Sequence, residues 1–288
     1  MTRVTVMGLG TMGGRIARAL ADVGHEVRGF DPSAAARGAT IGIDVHDDAT
    51  TALQGAEFVV VSVPRPEHVL ETARGPLADA RGAVVADLST IDPGTAREAA
   101  ALLADRGVAY LDAPVLGRPD RIGAWTLPVG GDTAAVDIAR TVLEGAVAKS
   151  VVRVGDVGAG STVKLLNNLM FGAINAVTAE ALTICRLAGV DPEVFVRTVA
   201  ESGAATVSNL FRELAPKLLA DDYEPAFMLE LLEKDNRLAL QLARDLGAAA
   251  PVAEAVGAIN AAAVELGHGR ADTGAVQELY RARSTGGR

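Results

Sequence analysis

The chain has 288 residues, of which 49% are hydrophobic and 22% are charged, and its formal net charge is −9 at pH 7. Because a single core stops growing at about 250–300 residues, this length predicts two domains. The acidic balance argues against DNA or RNA as a partner, and because no apolar run reaches about 18–20 residues we expect a cytoplasmic protein that spans no membrane.

The chain begins with a strand, a glycine-rich turn, a helix and a second strand. Residues 3–7 have the pattern of the first strand, an amphipathic helix follows to Gly24, and Glu26–Phe30 form the second strand. The intervening G-x-G-x-x-G allows a tight turn, close approach of the backbone to a pyrophosphate, and close packing of helix on strand. The helix start supplies N–H groups and a positive dipole to the phosphates. The residues that we predict to bind a dinucleotide here are Gly8, Leu9, Gly10, Thr11, Met12 and Gly13.

Asp31 directly follows the second strand, where the fingerprint places an acidic residue. Its carboxylate can accept hydrogen bonds from both ribose hydroxyls and repels a 2′-phosphate, which favours NAD over NADP. Arg37 follows six residues later, and a cation there would weaken that preference. NAD is therefore the predicted cofactor, with NADP as the alternative.

Strands and helices continue to alternate as far as residue 154. Apolar, β-branched runs at 58–63, 83–87 and 108–112, separated by helical stretches, predict a parallel sheet covered on both faces, and the runs at 125–129 and 150–154 add strands before the long helix. Ligands of such sheets bind at the carboxyl ends of the strands. For Ser89 and Thr90, a cap on the helix that begins near Pro93 is the alternative to a place in that crevice. The segments that we expect to line the crevice are Val63-Pro64, Ser89-Thr90 and Leu116-Gly117.

Within the stretch 155–189 the sequence predicts one long helix of close to thirty residues, roughly 40 Å at about 1.5 Å per residue. A hydroxyl at Ser161 or Thr162 can cap its start, and Gly189 suits its end. Lys164 and Asn168 lie four residues apart and interrupt an apolar surface. That face is either solvated or part of a catalytic cleft.

Only helical patterns follow Gly189. They begin at Asp191-Pro192 and continue at 206–219, 229–246, 251–266 and 272–283. The charged run 233–237 is, by itself, typical of a solvated helix face. We therefore predict an N-terminal Rossmann-like, doubly wound α/β domain at 1–158, and a long interdomain helix with an all-α domain at 159–288.

Four segments, in this order, give the whole chain a resemblance to the β-hydroxyacid dehydrogenases. They are GLGTMG at 8–13, DAPVLG at 112–117, GAGSTVKLLNN at 158–168 and KDNRLA at 234–239. That family has an N-terminal Rossmann-like domain, a long interdomain helix and an all-α C-terminal domain. The resemblance therefore implies the architecture that the chain order also predicts.

The resemblance also implies roles for single residues. Lys164 corresponds to the catalytic lysine, and Asn168 to the amide that positions it or the substrate. Thr90 is similar to a residue against the nicotinamide ribose or ring. Lys234, followed by Asp235 in the same motif, resembles the lysine that reaches the cofactor from the C-terminal domain. The segment at 112–117 corresponds to the substrate loop.

The substrate loop departs from the family pattern DAPVSGG. Leu116 replaces the expected serine, Gly117 is retained, and Arg118 replaces the second glycine. A guanidinium at 118 can bind a carboxylate in a bidentate way in place of the lost hydroxyl. The alternative is that Arg118 faces solvent and Leu116 forms an apolar pocket wall.

The resemblance implies hydride transfer between NAD(P) and a short 3-hydroxy acid or semialdehyde, in a homo-oligomer (dimer or tetramer) without a metal site. Lys164 would be the general acid/base, a role that lysine suits because it can gain and lose a proton. An imine reductase is one alternative, although such enzymes usually carry Asp or Tyr at the position of Lys164. A non-catalytic NAD-binding module is the other.

Overall fold

The computed structural model describes residues 1–202 and 208–285. The chain divides into two compact units, residues 1–164 and residues 165–288. Residues 206 and 207, the start of one predicted helix, lie outside the described residues.

Within the described residues, the first unit is built on one eight-stranded sheet in the order β3-β2-β1-β4-β5-β6-β7-β8. Because β1 lies between β2 and β4, the order of the strands reverses at the β1/β4 junction, which is where ligands bind in sheets of this kind. The strands are β1 Arg3–Met7, β2 Glu26–Phe30, β3 Asp44–His46, β4 Phe58–Val61, β5 Val84–Asp87, β6 Ala109–Asp112, β7 Trp125–Gly130 and β8 Ala148–Gly155.

The sheet is mixed rather than wholly parallel. Strand β7 pairs with β6 in the antiparallel direction through Asp112 and Gly130, and β8 is parallel to β7. Beyond β6 the chain doubles back, so that Leu116 and Thr126 form an antiparallel bridge. The connection holds a short 3-10 turn, Pro119–Arg121, whereas a parallel crossover usually needs a helix. The apolar runs from which a parallel sheet is predicted are parallel, and the two strands added after them run in the opposite direction.

Helices cover both faces of this sheet, as the alternating pattern predicts. Successive side chains of a strand point to opposite faces, so Val6 joins one core cluster and Met7 joins the other. The first cluster includes α1 and α6, and the second includes α4 and α5. The helices of the first unit before residue 159 are α1 Gly13–Asp22, α2 Ala34–Ala39, α3 Ala49–Leu53, α4 Pro66–Arg74, α5 Pro93–Ala104 and α6 Thr133–Leu143.

Helix α7, Ala159–Leu187, is the predicted long helix and has 29 residues. It begins before Ser161 and Thr162, so neither is its N-cap, and the prediction of a hydroxyl cap is wrong. Its end is as predicted, because Gly189 has φ +76° and Val190 N–H donates to the Cys185 carbonyl, which together form a Schellman motif.

The second unit is helical throughout its described residues. Leu182 of α7 packs in one core with Leu214, Leu232 and Leu279 from three later helices. An α/β first unit, a long helix and an all-α second unit therefore confirm the predicted fold class. The later helices are α8 Pro192–Glu201, α9 Asn209–Leu219, α10 Leu229–Asp245, α11 Pro251–Ala263 and α12 Val276–Thr285.

In the described part of the chain, α7 is the one helix with the length and apolar composition to cross a membrane. Of its most apolar stretch, 50% is buried inside the protein. The core helix of a soluble protein passes the same test, so α7 is weak evidence for a membrane span.

Candidate active site

The glycine loop lies at the β1/β4 junction. Gly8 has φ +95°, and a Cβ there would overlap the Ser62 carbonyl oxygen. A Cβ on Gly13 would overlap the carbonyl oxygen of Gly8. Gly10 is exposed, and a Cβ there would meet no atom within 4 Å. The first and third glycines are thus required by the fold itself, whereas the space beside the second is open.

The N-terminus of α1 also differs from those of most other helices in this unit. Met12 occupies its N-cap position and provides no side-chain hydrogen bond. Four other helices of this unit supply an oxygen for their own N–H groups: Ser33 caps α2, Asp48 caps α3, Asp92 caps α5 and Asp132 caps α6. Helix α4 also lacks a side-chain cap, but it begins with Pro66, which has no N–H group of its own, and it does not follow a glycine loop. An uncapped helix start after a glycine loop is a ready site for an anionic phosphate.

Asp31 is fixed at the end of β2 by two backbone donors. One carboxylate oxygen accepts from Leu9 N–H at 2.8 Å, and the other accepts from Ser33 N–H at 2.8 Å. The guanidinium of Arg37 donates to the carbonyl oxygens of Asp31 at 2.7 Å and Pro32 at 3.2 Å. The predicted ribose carboxylate is therefore held directly beside the glycine loop.

Ser89 links the loops that follow β4 and β5. Its hydroxyl oxygen accepts from Val63 N–H at 3.0 Å, while its own N–H donates to Asp87 at 2.8 Å. Helix α5 is capped by Asp92, so Ser89 does not cap it. Val63 and Thr90 are half-buried and Pro64 is exposed at this edge of the sheet.

Asp87 and Tyr110 are residues of this edge that the sequence analysis did not identify. The Tyr110 hydroxyl donates to Asp87 at 2.6 Å, and both side chains are buried. Burial raises the pKa of Asp87, and burial together with the Asp87 charge raises the pKa of Tyr110 well above its ordinary range. An aspartate at the end of an apolar strand was the available signal, but its partner on β6 is 23 residues away.

The predicted substrate loop is shaped by Trp125. The indole N–H donates to the Arg118 carbonyl at 2.7 Å, and a Cβ on Gly117 would overlap the indole ring. Leu116 exchanges two backbone hydrogen bonds with Thr126 at 2.9 and 3.2 Å. The backbone at 116–118 is thus held in place, with the side chains of Leu116 and Arg118 half-buried.

Asp112, the first residue of the DAPVLG segment, does not line that loop. Its carboxylate accepts from Gly158 N–H at 2.7 Å and from Ser161 N–H at 2.6 Å, and thereby caps α7. Burial raises the pKa of Asp112 to about 6, against the effect of these two donors. Lys164 lies three residues beyond Ser161 and is half-buried.

In the second unit, Asp235 joins Asn168 and Lys234. The Asn168 amide donates to one oxygen of Asp235 at 2.6 Å, and the Lys234 ammonium lies 3.1 Å from the other. Asn168, Lys234 and Asp235 are 3%, 8% and 2% exposed. The solvated-face interpretation of the KDNRLA segment is therefore wrong for 234 and 235, although Arg237 is exposed.

Apart from Lys164, which lies on α7 in the first unit, the structure groups the candidates in three sets. The glycine loop, Asp31, Val63 and Thr90 lie along the carboxyl edge of β1, β2, β4 and β5, and residues 116–118 form a separate loop before β7. Asn168 and Lys234 share Asp235 in the second unit. The described residues contain no cluster of three or more His, Cys, Asp or Glu side chains that could hold a metal ion.

Two family models match the chain. The NAD binding domain of 6-phosphogluconate dehydrogenase matches residues 3–155, and the NAD-binding domain of NADP-dependent 3-hydroxyisobutyrate dehydrogenase matches residues 158–280. A 3-hydroxyisobutyrate dehydrogenase from Pseudomonas aeruginosa is 34% identical, over 98% of this chain and 100% of that protein. The chain belongs to the β-hydroxyacid dehydrogenase family. The resemblance inferred from the four sequence motifs is therefore confirmed.

Other members of the family are similar over their full length. A 3-sulfolactaldehyde reductase from Escherichia coli is 32% identical, over 98% of this chain and 96% of that protein. The solved 3-hydroxyisobutyrate dehydrogenase from Mycobacterium tuberculosis with L-serine is 30% identical, with a TM-score of 0.89 over 98% of this chain and 99% of that one. The chain is thus an NAD(P)-dependent oxidoreductase, and these relatives support this function over an imine reductase or a non-catalytic module.

The open space at Gly10 gives a test of the phosphate site. We expect Gly10→Ala to leave the melting temperature nearly unchanged, because no protein atom is displaced, and to weaken NADH binding by about tenfold. Gly13→Ala is the matched control, and it should lower the melting temperature because its Cβ overlaps the Gly8 carbonyl. Calorimetric titration and thermal denaturation measure both effects. Wild-type NADH affinity in Gly10→Ala would place the pyrophosphate elsewhere.

Proposed function

We propose that this enzyme transfers a hydride between the nicotinamide and the carbonyl or alcohol carbon of a short 3-hydroxy acid or semialdehyde. The relatives named for 3-hydroxyisobutyrate and 3-sulfolactaldehyde support a small anionic substrate of this type. The observation that carries the proposal is the position of Lys164, half-buried and one turn beyond the capped start of α7.

Lys164 is the proposed general acid/base. When hydride reaches the carbonyl carbon, negative charge develops on the oxygen, and an ammonium within hydrogen-bond reach stabilises that charge and delivers the proton. The bound nicotinamide supplies the hydride chemistry, and the protein orients the reactants and supplies the proton. In the oxidation direction, the neutral amine would take the hydroxyl proton.

The remaining site residues are assigned by the same proposal. Residues 1–158 bind the dinucleotide through the glycine loop, Asp31, Val63, Pro64 and Thr90, and residues 159–288 supply the interdomain helix and the all-α domain. Asn168 orients Lys164 or the substrate, and Lys234 contacts the cofactor. Asp235 supports the last two assignments because it holds the Asn168 amide and the Lys234 ammonium in one buried group.

Replacement of the proposed acid tests the mechanism. Lys164→Met keeps a side chain of similar length without a transferable proton, so kcat should fall by at least about 100-fold while NADH affinity stays nearly unchanged. Lys149→Met changes an exposed lysine of β8 and is the matched control, with wild-type kcat expected. Steady-state kinetics against a panel of 3-hydroxy acids, semialdehydes and cyclic imines measures the effect. Full activity in Lys164→Met would end this mechanism.

NAD is the proposed cofactor. The Asp31 carboxylate is fixed at the end of β2, and the Arg37 guanidinium is engaged by two carbonyl oxygens, both of which disfavour a 2′-phosphate. We expect kcat/KM to be higher with NADH than with NADPH. The substitution Asp31→Asn should bring the two kcat/KM values closer together. A clear NADPH preference in the wild type would contradict the proposal, and Arg37→Ala would then show whether that guanidinium causes it.

Leu116, Gly117 and Arg118 are the proposed substrate-binding loop, with the Arg118 guanidinium binding the carboxylate. Arg118→Ala should raise KM for an acid substrate by at least about tenfold and leave KM for a neutral aldehyde of similar size nearly unchanged. Arg121→Ala, which changes an exposed arginine of the neighbouring 3-10 turn, is the control. Equal effects of Arg118→Ala on charged and neutral substrates would instead favour an apolar pocket at Leu116.

A cytoplasmic homo-oligomer, dimer or tetramer, is the proposed state of the protein. Apolar side chains follow one stripe of α7 and are 48–65% exposed; they are Leu166, Met170, Val177, Ile184 and Leu187. A stripe of this kind favours cover by another protein surface. Expressed at its natural level, the protein should be found in the soluble fraction and sediment as a dimer or tetramer. Recovery with the membranes, or as a monomer at micromolar concentration, would contradict this.

A further inference from the structure

The start of α7 is attached to the sheet by an unusual cap. The capping side chain comes from Asp112 at the end of β6, 46 and 49 residues away from the two groups that it binds. Both carboxylate oxygens are used, one for Gly158 N–H and one for Ser161 N–H. The caps of α2, α3, α5 and α6, by contrast, each come from the residue next to the helix.

The backbone segments around this cap are in such close contact that two of their positions have no space for a Cβ atom. A Cβ on Gly130, at the end of β7, would overlap the Asp112 carboxylate and lie 2.6 Å from the Asp156 carbonyl oxygen. A Cβ on Gly160, in the first turn of α7, would overlap the Asp112 carbonyl oxygen. The ends of two strands and the start of one helix therefore meet backbone to backbone, and the carboxylate fixes the helix to that junction.

Lys164 lies about 4.5 Å along the helix axis from Ser161, at about 1.5 Å per residue. Any displacement of the first turn is therefore passed on to the lysine within one turn. We propose that Asp112 is a positioning residue that sets the place of Lys164 through the start of α7. This inference rests on the proposed role of Lys164 as general acid/base.

The ionised form of Asp112 is the form that can do this. A carboxylate accepts at both oxygens, whereas a carboxylic acid or an asparagine amide accepts at one position and presents a donor to the other N–H group. Burial raises the pKa of Asp112 to about 6, so the cap weakens in mildly acidic solution. Charged or titratable side chains next to this junction include Asp87 on the neighbouring strand β5, Tyr110 on β6 itself, Arg97 beside Gly158, and the pair Arg153 and Asp156 at the end of β8. The elements packed against β6 also carry Glu98 on α5 and Asp137 and Arg140 on α6, and Lys149 lies on β8.

The experiment compares the wild type with Asp112→Asn, using Asp132→Asn as the matched control. The Asp132 carboxylate also caps a helix of the first unit by accepting hydrogen bonds from two backbone N–H groups. That helix is α6, which carries no proposed site residue. In Asp112→Asn we expect kcat to fall by about 10- to 100-fold with little change in KM for NADH, because misplacement by about 1 Å has effects of this size. Asp132→Asn should retain the wild-type kcat.

The pH dependence gives a readout that a purely structural role would not change. In the wild type kcat should fall as pH decreases through about 6, and this acidic fall in kcat should be absent in Asp112→Asn. Stability should change in the opposite sense, because a raised pKa favours the protonated form of the folded protein. The contribution of Asp112 to stability is complete below its ordinary value of 3.8 and is lost as pH rises through about 6. The wild type should therefore lose melting temperature relative to Asp112→Asn between pH 4 and pH 7.

A wild-type kcat and pH profile in folded Asp112→Asn overturns the inference, provided that Lys164→Met is inactive. Activity in Lys164→Met overturns the proposed function instead, so the two failures are distinct. If Asp112→Asn does not accumulate as folded protein, the wild-type profile decides. The inference is supported if kcat falls near pH 6 in the wild type and also in Asp132→Asn. It is overturned if the wild-type kcat is constant from pH 5 to pH 7.5.

Discussion

Two hydrogen bonds from the start of α7 to the Asp112 carboxylate are the constraint that joins the sheet of the first unit to the helix carrying Lys164. They join a buried strand end to the longest helix of the chain, and they require glycine at 130 and 160 because the backbones touch. A carboxylate suits this junction since it satisfies two buried N–H groups at once. Its burial is unfavourable to the charge, which is why its pKa is raised to about 6.

The helices of the first unit differ in whether the protein's own side chains satisfy their first N–H groups. Helices α2, α3, α5 and α6 satisfy their own first N–H groups with Ser or Asp side chains, so their starts are closed to a ligand. Helix α1 begins at a methionine and follows the one glycine of its loop that has open space beside it. Next to it, Asp87, Ser89 and Tyr110 form a buried network that fixes the loops after β4 and β5. The proposed phosphate site is thus open, while the loops beside it are held by hydrogen bonds.

The second unit places charge in its interior, and the arrangement of that charge is specific. An isolated ammonium or carboxylate is strongly unfavourable in a protein interior. Lys234 and Asp235 are tolerated there because they form an ion pair, and Asp235 also accepts a hydrogen bond from the Asn168 amide. Removal of one partner leaves the other buried and unpaired. That dependence ties the side chains which the family resemblance marks as functional, Asn168 and Lys234, to a single carboxylate.

The sequence by itself determined the features that depend on neighbouring residues. Glycine spacing at 8–13 together with the acidic residue at 31, alternating apolar strands and helices, and Gly189 at the end of α7 are local patterns, and the structure agrees with each. Tertiary structure decided the rest. Helix α7 is capped by Asp112 rather than by Ser161 or Thr162, Ser89 binds Val63 rather than α5, and Lys234 is buried rather than solvated. The antiparallel β7 belongs to the same group. Three of the contacts involved join distant residues, 49 apart for Asp112 and Ser161, 26 for Val63 and Ser89 and 67 for Asn168 and Asp235, and periodicity or propensity carries no information about contacts over such separations.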